Sequence, residues 1–237
     1  MITAFFLAII GFTSCAMGMI FGGLFSLLFR NSKLHYIPLI FAFCSGIIFG
    51  LIFLDIIPES VEMGGWISTI IGLGFSCFLF QYLHKISHVV SLNVNNRHIQ
   101  TGLVMAISIA IHNFPSGIAL GAGHHGPFSN SMIVTMIFHT IPEGIAVFTP
   151  LFMARYTNSI LLPTSFLVAL PVGIGSFLGV KMGINAAWLL SLIISTSMGI
   201  VLLVTMKEIF WEALKKANAL LCFLLTVLGL LIIGLFV

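Results

Sequence analysis

A chain of 237 residues that is 59% hydrophobic and only 6% charged cannot cover a water-facing surface, because soluble domains carry roughly a quarter charged residues. The composition makes it an integral membrane protein, and its net charge of +3 speaks to topology rather than to nucleic acid. Unbroken apolar runs also exclude a β-barrel, which needs short alternating strands.

A helix needs about 20 apolar residues to cross the hydrocarbon core. Eight runs satisfy that length: 2–29, 36–57, 66–83, 101–122, 130–153, 160–180, 187–206 and 217–237. The expectation is one all-α transmembrane domain over 1–237, without room for a separate soluble unit. No basic residue precedes the first run, and Arg30 and Lys33 follow it. That order argues against a cleaved signal peptide and points the N-terminus outward. Eight spans then put both termini outside. The inner joints hold Arg30, Lys33, Lys85, Arg97, Arg155, Lys207, Lys215 and Lys216, whereas the outer ones hold Lys181 alone. This asymmetry is the positive-inside bias of a polytopic protein. Trp66 and Tyr82 bracket the third run as interfacial aromatics should.

Asp55 and Glu59 close the second run on the outer side, and Glu208 and Glu212 close the seventh on the inner side. The first pair is a candidate entrance for a cation and the second a candidate exit. The inner joint after the third run carries His84, His88 and His98, and an outer loop carries His124 and His125. Loop histidines are more often simply polar than metal-collecting, and His35 has no argument attached to it. Cys15, Cys44, Cys77 and Cys222 lie singly in apolar sequence and read as small buried hydrophobes.

Two hexapeptides, "HNFPSG" at 112–117 and "HTIPEG" at 139–144, align without gaps, and "IA" follows each. They fall on the fourth and fifth spans, which run in opposite directions. A second alignment matches Gly46 with Gly199, Asp55 with Glu208 and Glu59 with Glu212 at one offset of 153. An odd number of spans separates the members of each pair. The reading is therefore an inverted repeat of spans 1–3 and 6–8 around the pair 4–5, typical of secondary transporters.

Ionisable groups inside a span are costly and are paired or functional by default. His139 and Glu143 are four apart on one helical face, as are His112 and Ser116. Two imidazoles and a carboxylate meeting between spans four and five supply most of a coordination shell, with Ser116 as an additional ligand. Nitrogen and oxygen donors of this kind suit zinc, iron, manganese and cobalt. Pro115 and Pro142 remove backbone hydrogen bonds and free the carbonyls of Ile111 and Phe138, which is tolerated at membrane depth where the helix lines a cavity. Gly117 and Gly121, with Gly144 opposite, would let spans four and five approach closely. The bland alternative is a pair of proline kinks whose histidines each make one hydrogen bond. Neither HExxH nor GxSxG occurs, so no enzyme is expected.

With these residues in hand, the pair HNFPSG and HTIPEG resembles the paired motifs of the ZIP (Zrt/Irt-like) metal transporters, HNxPEG and HxxPEG. Eight spans, outward termini and a cytoplasmic joint after span three extend the resemblance over the whole chain. It implies uptake of divalent metal, most often zinc, across the plasma membrane (the inner membrane in a Gram-negative cell) into the cytoplasm. No prosthetic group is implied, and a homodimer is compatible with the reading. It also places His112, Asn113, His139 and Glu143 at the family's metal-binding positions. Three residues depart from the pattern. Ser116 replaces a glutamate, Thr140 follows His139 where many members have a ligand, and Leu170 in "ALPVGIG" stands where the family's EPxG stretch has its glutamate. These losses predict one good site and a vestigial second one. Two other functions share the composition: a metal-binding sensor or scaffold without flux, and a carrier of another small solute whose histidines donate hydrogen bonds.

Overall fold

The computed structural model describes residues 2–30, 36–91, 96–122, 128–183 and 186–235. Among these, all regular structure is helical: α1 (Ile2–Leu27), α2 (Ile37–Gly50), α3 (Ile57–Ser91), α4 (Arg97–Ala122), α5 (Phe128–Met153), α6 (Leu161–Met182), α7 (Ala187–Val204), α8 (Trp211–Lys216) and α9 (Ala219–Gly234). Six stretches are long and apolar enough to cross a membrane, and the 16-residue α9 is a seventh, shorter apolar helix. The chain is an all-α, multi-pass membrane protein.

Local sequence explains the helix ends. Pro38 opens α2, where its missing N–H costs nothing. Gly183 closes α6 in the left-handed region at φ 57°. The Asn218 side chain accepts from the backbone N–H groups of Leu220 and Leu221 and so caps α9.

Two boundaries differ from the sequence expectation. The second span does not stop at Ile57, because α2 passes through a π-helical turn, Leu51–Ile56, directly into α3. Ile37–Tyr82 is thus one apolar run of 46 residues, about 70 Å of helix against a core of about 30 Å. It cannot be a single straight crossing. The break is at Gly65, whose φ of 84° and ψ of 166° leave the helical region in the middle of α3. Only glycine takes that conformation without strain. The seventh run likewise continues past Met206 through a second π-helical turn, Thr205–Phe210, into α8. Asp55 sits in the first π turn and Glu208 in the second. The acids therefore lie within continuing helices rather than at their ends.

The helices pair closely. α5 and α6 both pack on α1, α4 packs on α6 and α5, α2 on α9, and α3 on α7. Glycines permit the closest of these approaches. A Cβ on Gly22 would meet Ile141 O, the Gly144 Cα and Ile145 N, and one on Gly175 would meet Phe114 O, the Gly117 Cα and Ile118 N. The two sets correspond residue by residue, at the offsets 153 and 27 that relate the sequence repeats. The sequence expectation for Gly117, Gly121 and Gly144 needs correction here. Gly117 and Gly121 face Val172 and Ser176 of α6, and Gly144 faces Met19 and Gly22 of α1. They do not open the α4–α5 contact, which side chains occupy instead.

A knot of hydroxyls fastens the Gly65 break to α7. Ser60, before the break, bonds to Ser191 at 2.9 Å and to Thr69, after it, at 3.2 Å, and Ser68 and Thr69 each reach the Ser191 hydroxyl at 3.2 Å. Mutual pairing satisfies these buried groups where lipid offers no partner.

Glycine packing yields a direct comparison. Gly175→Leu forces a side chain into the backbone of α4 and is expected to cost about 1–3 kcal/mol or more. Gly74→Ala meets no atom within 4 Å and is expected to be neutral or stabilising by up to about 1 kcal/mol. Melting of the two variants in detergent micelles checks the difference. Equal melting temperatures would contradict the α4–α6 contact.

Candidate metal centre

The His–Pro segments of α4 and α5 converge in the interior. Both helices run on through Pro115 and Pro142. Their i, i+4 spacing presents His112 and Ser116 from α4, and His139 and Glu143 from α5. His112, His139 and Glu143 are 1%, 7% and 2% exposed, and each offers a ligand atom within 4.8 Å of the other two. His112 Nε2 lies 3.2 Å from Glu143 Oε1, and the imidazole centroids are 6.3 Å apart. Ligand atoms on a tetrahedral zinc stand roughly 3.4 Å from one another. A small contraction of the cluster is enough to close around such an ion.

Glu143 Oε2 is buried without a hydrogen-bond partner. An unsatisfied carboxylate oxygen in a dry interior is expensive unless a cation completes it. This orphan oxygen, on a carboxyl group clustered with two imidazoles, gives the cluster its character as a candidate cation site.

The other predicted residues divide. Asn113 is buried beside His112, but its amide nitrogen donates to Val168 O at 2.9 Å and to Cys15 Sγ at 3.5 Å. It ties α4 to α6 and α1, and only its carbonyl oxygen is left to offer a metal. Thr140 turns its hydroxyl back to Met136 O. Ser116 bonds to Ser197 Oγ at 2.8 Å and shares a cavity of about 40 Å³ with Glu59 and His139. Glu59 Oε1 is itself buried without a partner, so this acid lies much closer to the cluster than a helix-end position implied.

Leu170 is a correction. It is 48% exposed, whereas Val168, Ala169 and Val172 around it are buried. It lies on the outer face of α6 and not beside the cluster. Glu208 and Glu212 line a separate cavity of about 760 Å³ with Gln100, Lys207 and Lys215, and Glu212 pairs with Lys216 at 3.0 Å. Between that cavity and the cluster, Met105, Ile109, Val201, Val204 and Ile209 enclose a void of only about 10 Å³ against His112 and Glu143. His98 lines another cavity with Glu212, Thr101 and Lys216. His84 and His88 fall on the last turns of α3, while His35, His124, His125 and Lys33 lie outside the described residues.

One contributor was missed. Ser197 of α7 touches both the His112 ring and the Ser116 hydroxyl. The run Ser195–Thr196–Ser197 inside apolar α7 was the available signal, since three hydroxyls in such a helix need partners.

A multi-pass helical bundle with two imidazoles and a carboxylate buried between two of its helices has the make-up of a membrane protein that handles cations. Residues 81–236, from late α3 through α9, match the ZIP zinc transporter family, and the chain belongs to it. It is similar to the zinc transporter ZupT of Chlorobium luteolum, 25% identical over 218 residues that cover 81% of this chain and 82% of that protein. A zinc transporter ZupT of Chlorobium limicola is 26% identical over 121 residues, covering 42% of this chain and 46% of the relative.

The surface position of Leu170 leads to a definite expectation. Leu170→Glu should bring no additional metal to the protein and should lower its stability, since a carboxylate facing the hydrocarbon costs about 2.5–3.5 kcal/mol at mid-membrane. Metal-to-protein ratio after equilibrium dialysis, read beside the melting temperature, checks both halves. A gained ion would place position 170 inside the site after all.

Proposed function

We propose that this protein imports divalent metal, with zinc the preferred cargo and iron, manganese or cobalt as alternatives, across the plasma membrane into the cytoplasm. His112, His139 and Glu143 form the transport site, with the carbonyl of Asn113 and the hydroxyl of Ser116 as additional ligands. The observation that carries this reading is the buried Glu143 carboxyl, one oxygen of it without a partner, clustered with two buried imidazoles in a chain of the ZIP family. The names of the similar ZupT proteins favour zinc as cargo.

The topology belongs to the same proposal: eight spans, both termini outside, and inverted halves around α4 and α5. Gly65 divides the 46-residue run into two passes, and α9 adds the last. Matched contacts at Gly22 and Gly175, and paired π turns at Asp55 and Glu208, support the inverted halves.

Cations are drawn toward Asp55 and Glu59, pass by the small cavity that Glu59 shares with His139, and reach Glu143. Two neutral imidazoles and one carboxylate leave a bound dication with about one net positive charge, which favours release over tight retention. The apolar residues beneath the site close it from the cavity of Glu208 and Glu212. Release therefore requires one group of helices to move against the other, alternately exposing the site. The metal runs down its own gradient, and the protein is a transporter and not an enzyme.

Glu143→Gln keeps the shape and removes the charge. In proteoliposomes, zinc or cobalt flux should fall at least tenfold while the protein remains inserted and monodisperse. Flux near the wild-type rate would refute the site. Metal binding that needs Glu143, without any flux in the wild type, would instead identify a sensor or scaffold.

A further inference from the structure

The His112 ring is held from both sides. Nε2 faces Glu143 Oε1 at 3.2 Å, and Nδ1 faces the hydroxyl of Ser197 at 3.2 Å. Ser197 is fully buried on α7, and its hydroxyl has two further neighbours: the backbone oxygen of His112 at 2.9 Å and the Ser116 hydroxyl at 2.8 Å. Ser116 in turn reaches that same His112 oxygen at 3.3 Å. The arrangement brings one donor-acceptor hydroxyl to the back of a candidate ligand, with both a spare acceptor and a spare donor beside it.

That chemistry matters because a neutral imidazole carries one proton, and the nitrogen that binds a metal must carry none. The tautomer with its proton on Nε2 can donate to Glu143 Oε1. Nδ1 is then bare and needs a donor, which is the Ser197 hydroxyl. When a metal takes Nε2, the ring proton must sit on Nδ1, and that nitrogen now needs an acceptor. Ser197 serves again, by rotating its own hydrogen to the His112 carbonyl, with Ser116 free to donate to it. A neutral ring carries one proton in either tautomer, and Nδ1 and the Ser197 and Ser116 hydroxyls have partners within hydrogen-bond distance in both. A carbonyl or carboxylate behind the ring would serve only the metal-bound form. A hydroxyl serves both.

We propose that Ser197 is the positioning residue of the transport site, orienting the His112 ring from behind through a hydroxyl that can donate to Nδ1 or accept from it, so that Nε2 is turned to the site. This rests on the assignment of His112 and Glu143 as ligands. It assigns to α7, outside the two motif helices, control over loading, and it explains why a helix of such low polarity places a hydroxyl there. The role passes through His112, since Ser197 itself does not touch the metal.

The test uses purified full-length protein in nanodiscs, with histidine labelled by ¹⁵N and Zn²⁺ as the probe. Wild type should show the His112 proton on Nδ1 with zinc, the signal being assigned by its loss in His112→Ala. Ser197→Ala should weaken zinc binding by about 10- to 100-fold, the usual effect of losing the hydrogen bond behind a metal-binding histidine, and should broaden or shift the His112 nitrogens in the metal-free state. Ser197→Thr, which retains the hydroxyl, should recover most of the affinity. Ring-nitrogen shifts are read only on variants whose melting and monodispersity match wild type, and Ser197→Cys, close in size but a weak hydrogen-bonder, replaces alanine should alanine fail to fold. Wild-type affinity and unchanged His112 shifts in Ser197→Ala, while Glu143→Gln abolishes binding, would overturn the role of Ser197 and leave the site standing. Zinc binding indifferent to both Glu143→Gln and His112→Ala would remove the site and this proposal with it.

Discussion

A carboxylate placed between two helices at the centre of the bundle, without full compensation, governs this structure. Glu143 enters the interior between two imidazoles, and one of its oxygens finds no hydrogen-bond donor. Charge at that depth is costly, and replacing it by a neutral group of the same shape would ease the burden on folding. Its presence means that the surrounding bundle supplies the stability that Glu143 takes away. The amide of Asn113, donating to Val168 O, and the paired hydroxyls of Ser116 and Ser197 satisfy the polar groups next to it, and direct backbone contacts at Gly22 and Gly175 lock the helices that carry it. On the proposed function the cost is recovered when a cation arrives, because the orphan oxygen would then gain a strong partner.

The two motifs made the core of the site legible from sequence for a simple reason. A helix repeats every 3.6 residues, so residues four apart must share a face. His139 with Glu143, and His112 with Ser116, follow from spacing alone. The resemblance named Asn113, yet the structure gives its amide nitrogen to Val168 and Cys15, a distinction that spacing cannot draw. Leu170 shows the opposite failure. Its place in a motif-like stretch put it near the site, but rotation of α6 about its own axis depends on the whole helix's packing, and Gly175 and Gly179 turn toward α4 while Leu170 faces out. Helix boundaries were hidden for another reason. Hydropathy registers apolar length, and a π turn or a glycine in an extended conformation leaves that average unchanged. Ser197 was hidden because a serine in a transmembrane helix satisfies itself locally as often as it reaches a neighbour.

The packing also bears on how such a site can move. Between α1 and α5, and between α4 and α6, backbone meets backbone across glycines with few side chains interposed. These contacts are short and rigid, and the four helices α1, α4, α5 and α6 form one group held in this way. All three atoms of the candidate centre belong to that group, on α4 and α5. The contact that crosses to α7 at the site has a different nature, since it is made by the Ser197 hydroxyl, whose partners can be exchanged. The opposite group is built on α2 with α9 and α3 with α7, again through glycines such as Gly46 and Gly199.

On the proposed function the motion falls at the boundary, where the exchangeable Ser197 contacts lie beside apolar packing of Met105 and Ile109 against Val201, Val204 and Ile209. A displacement there breaks two or three hydroxyl hydrogen bonds, each worth about 0.5–1.5 kcal/mol net, and slides apolar side chains past one another, whereas separating α4 from α6 would give up the close glycine packing of Gly117, Gly121, Gly175 and Gly179. On that reading the ligands would travel together, with the His112–Glu143 geometry preserved, while the apolar residues beneath them open or close. Loading and movement are then linked through the same hydroxyl. On the proposed role of Ser197, the hydroxyl that holds the His112 ring is also one of the contacts between the two groups.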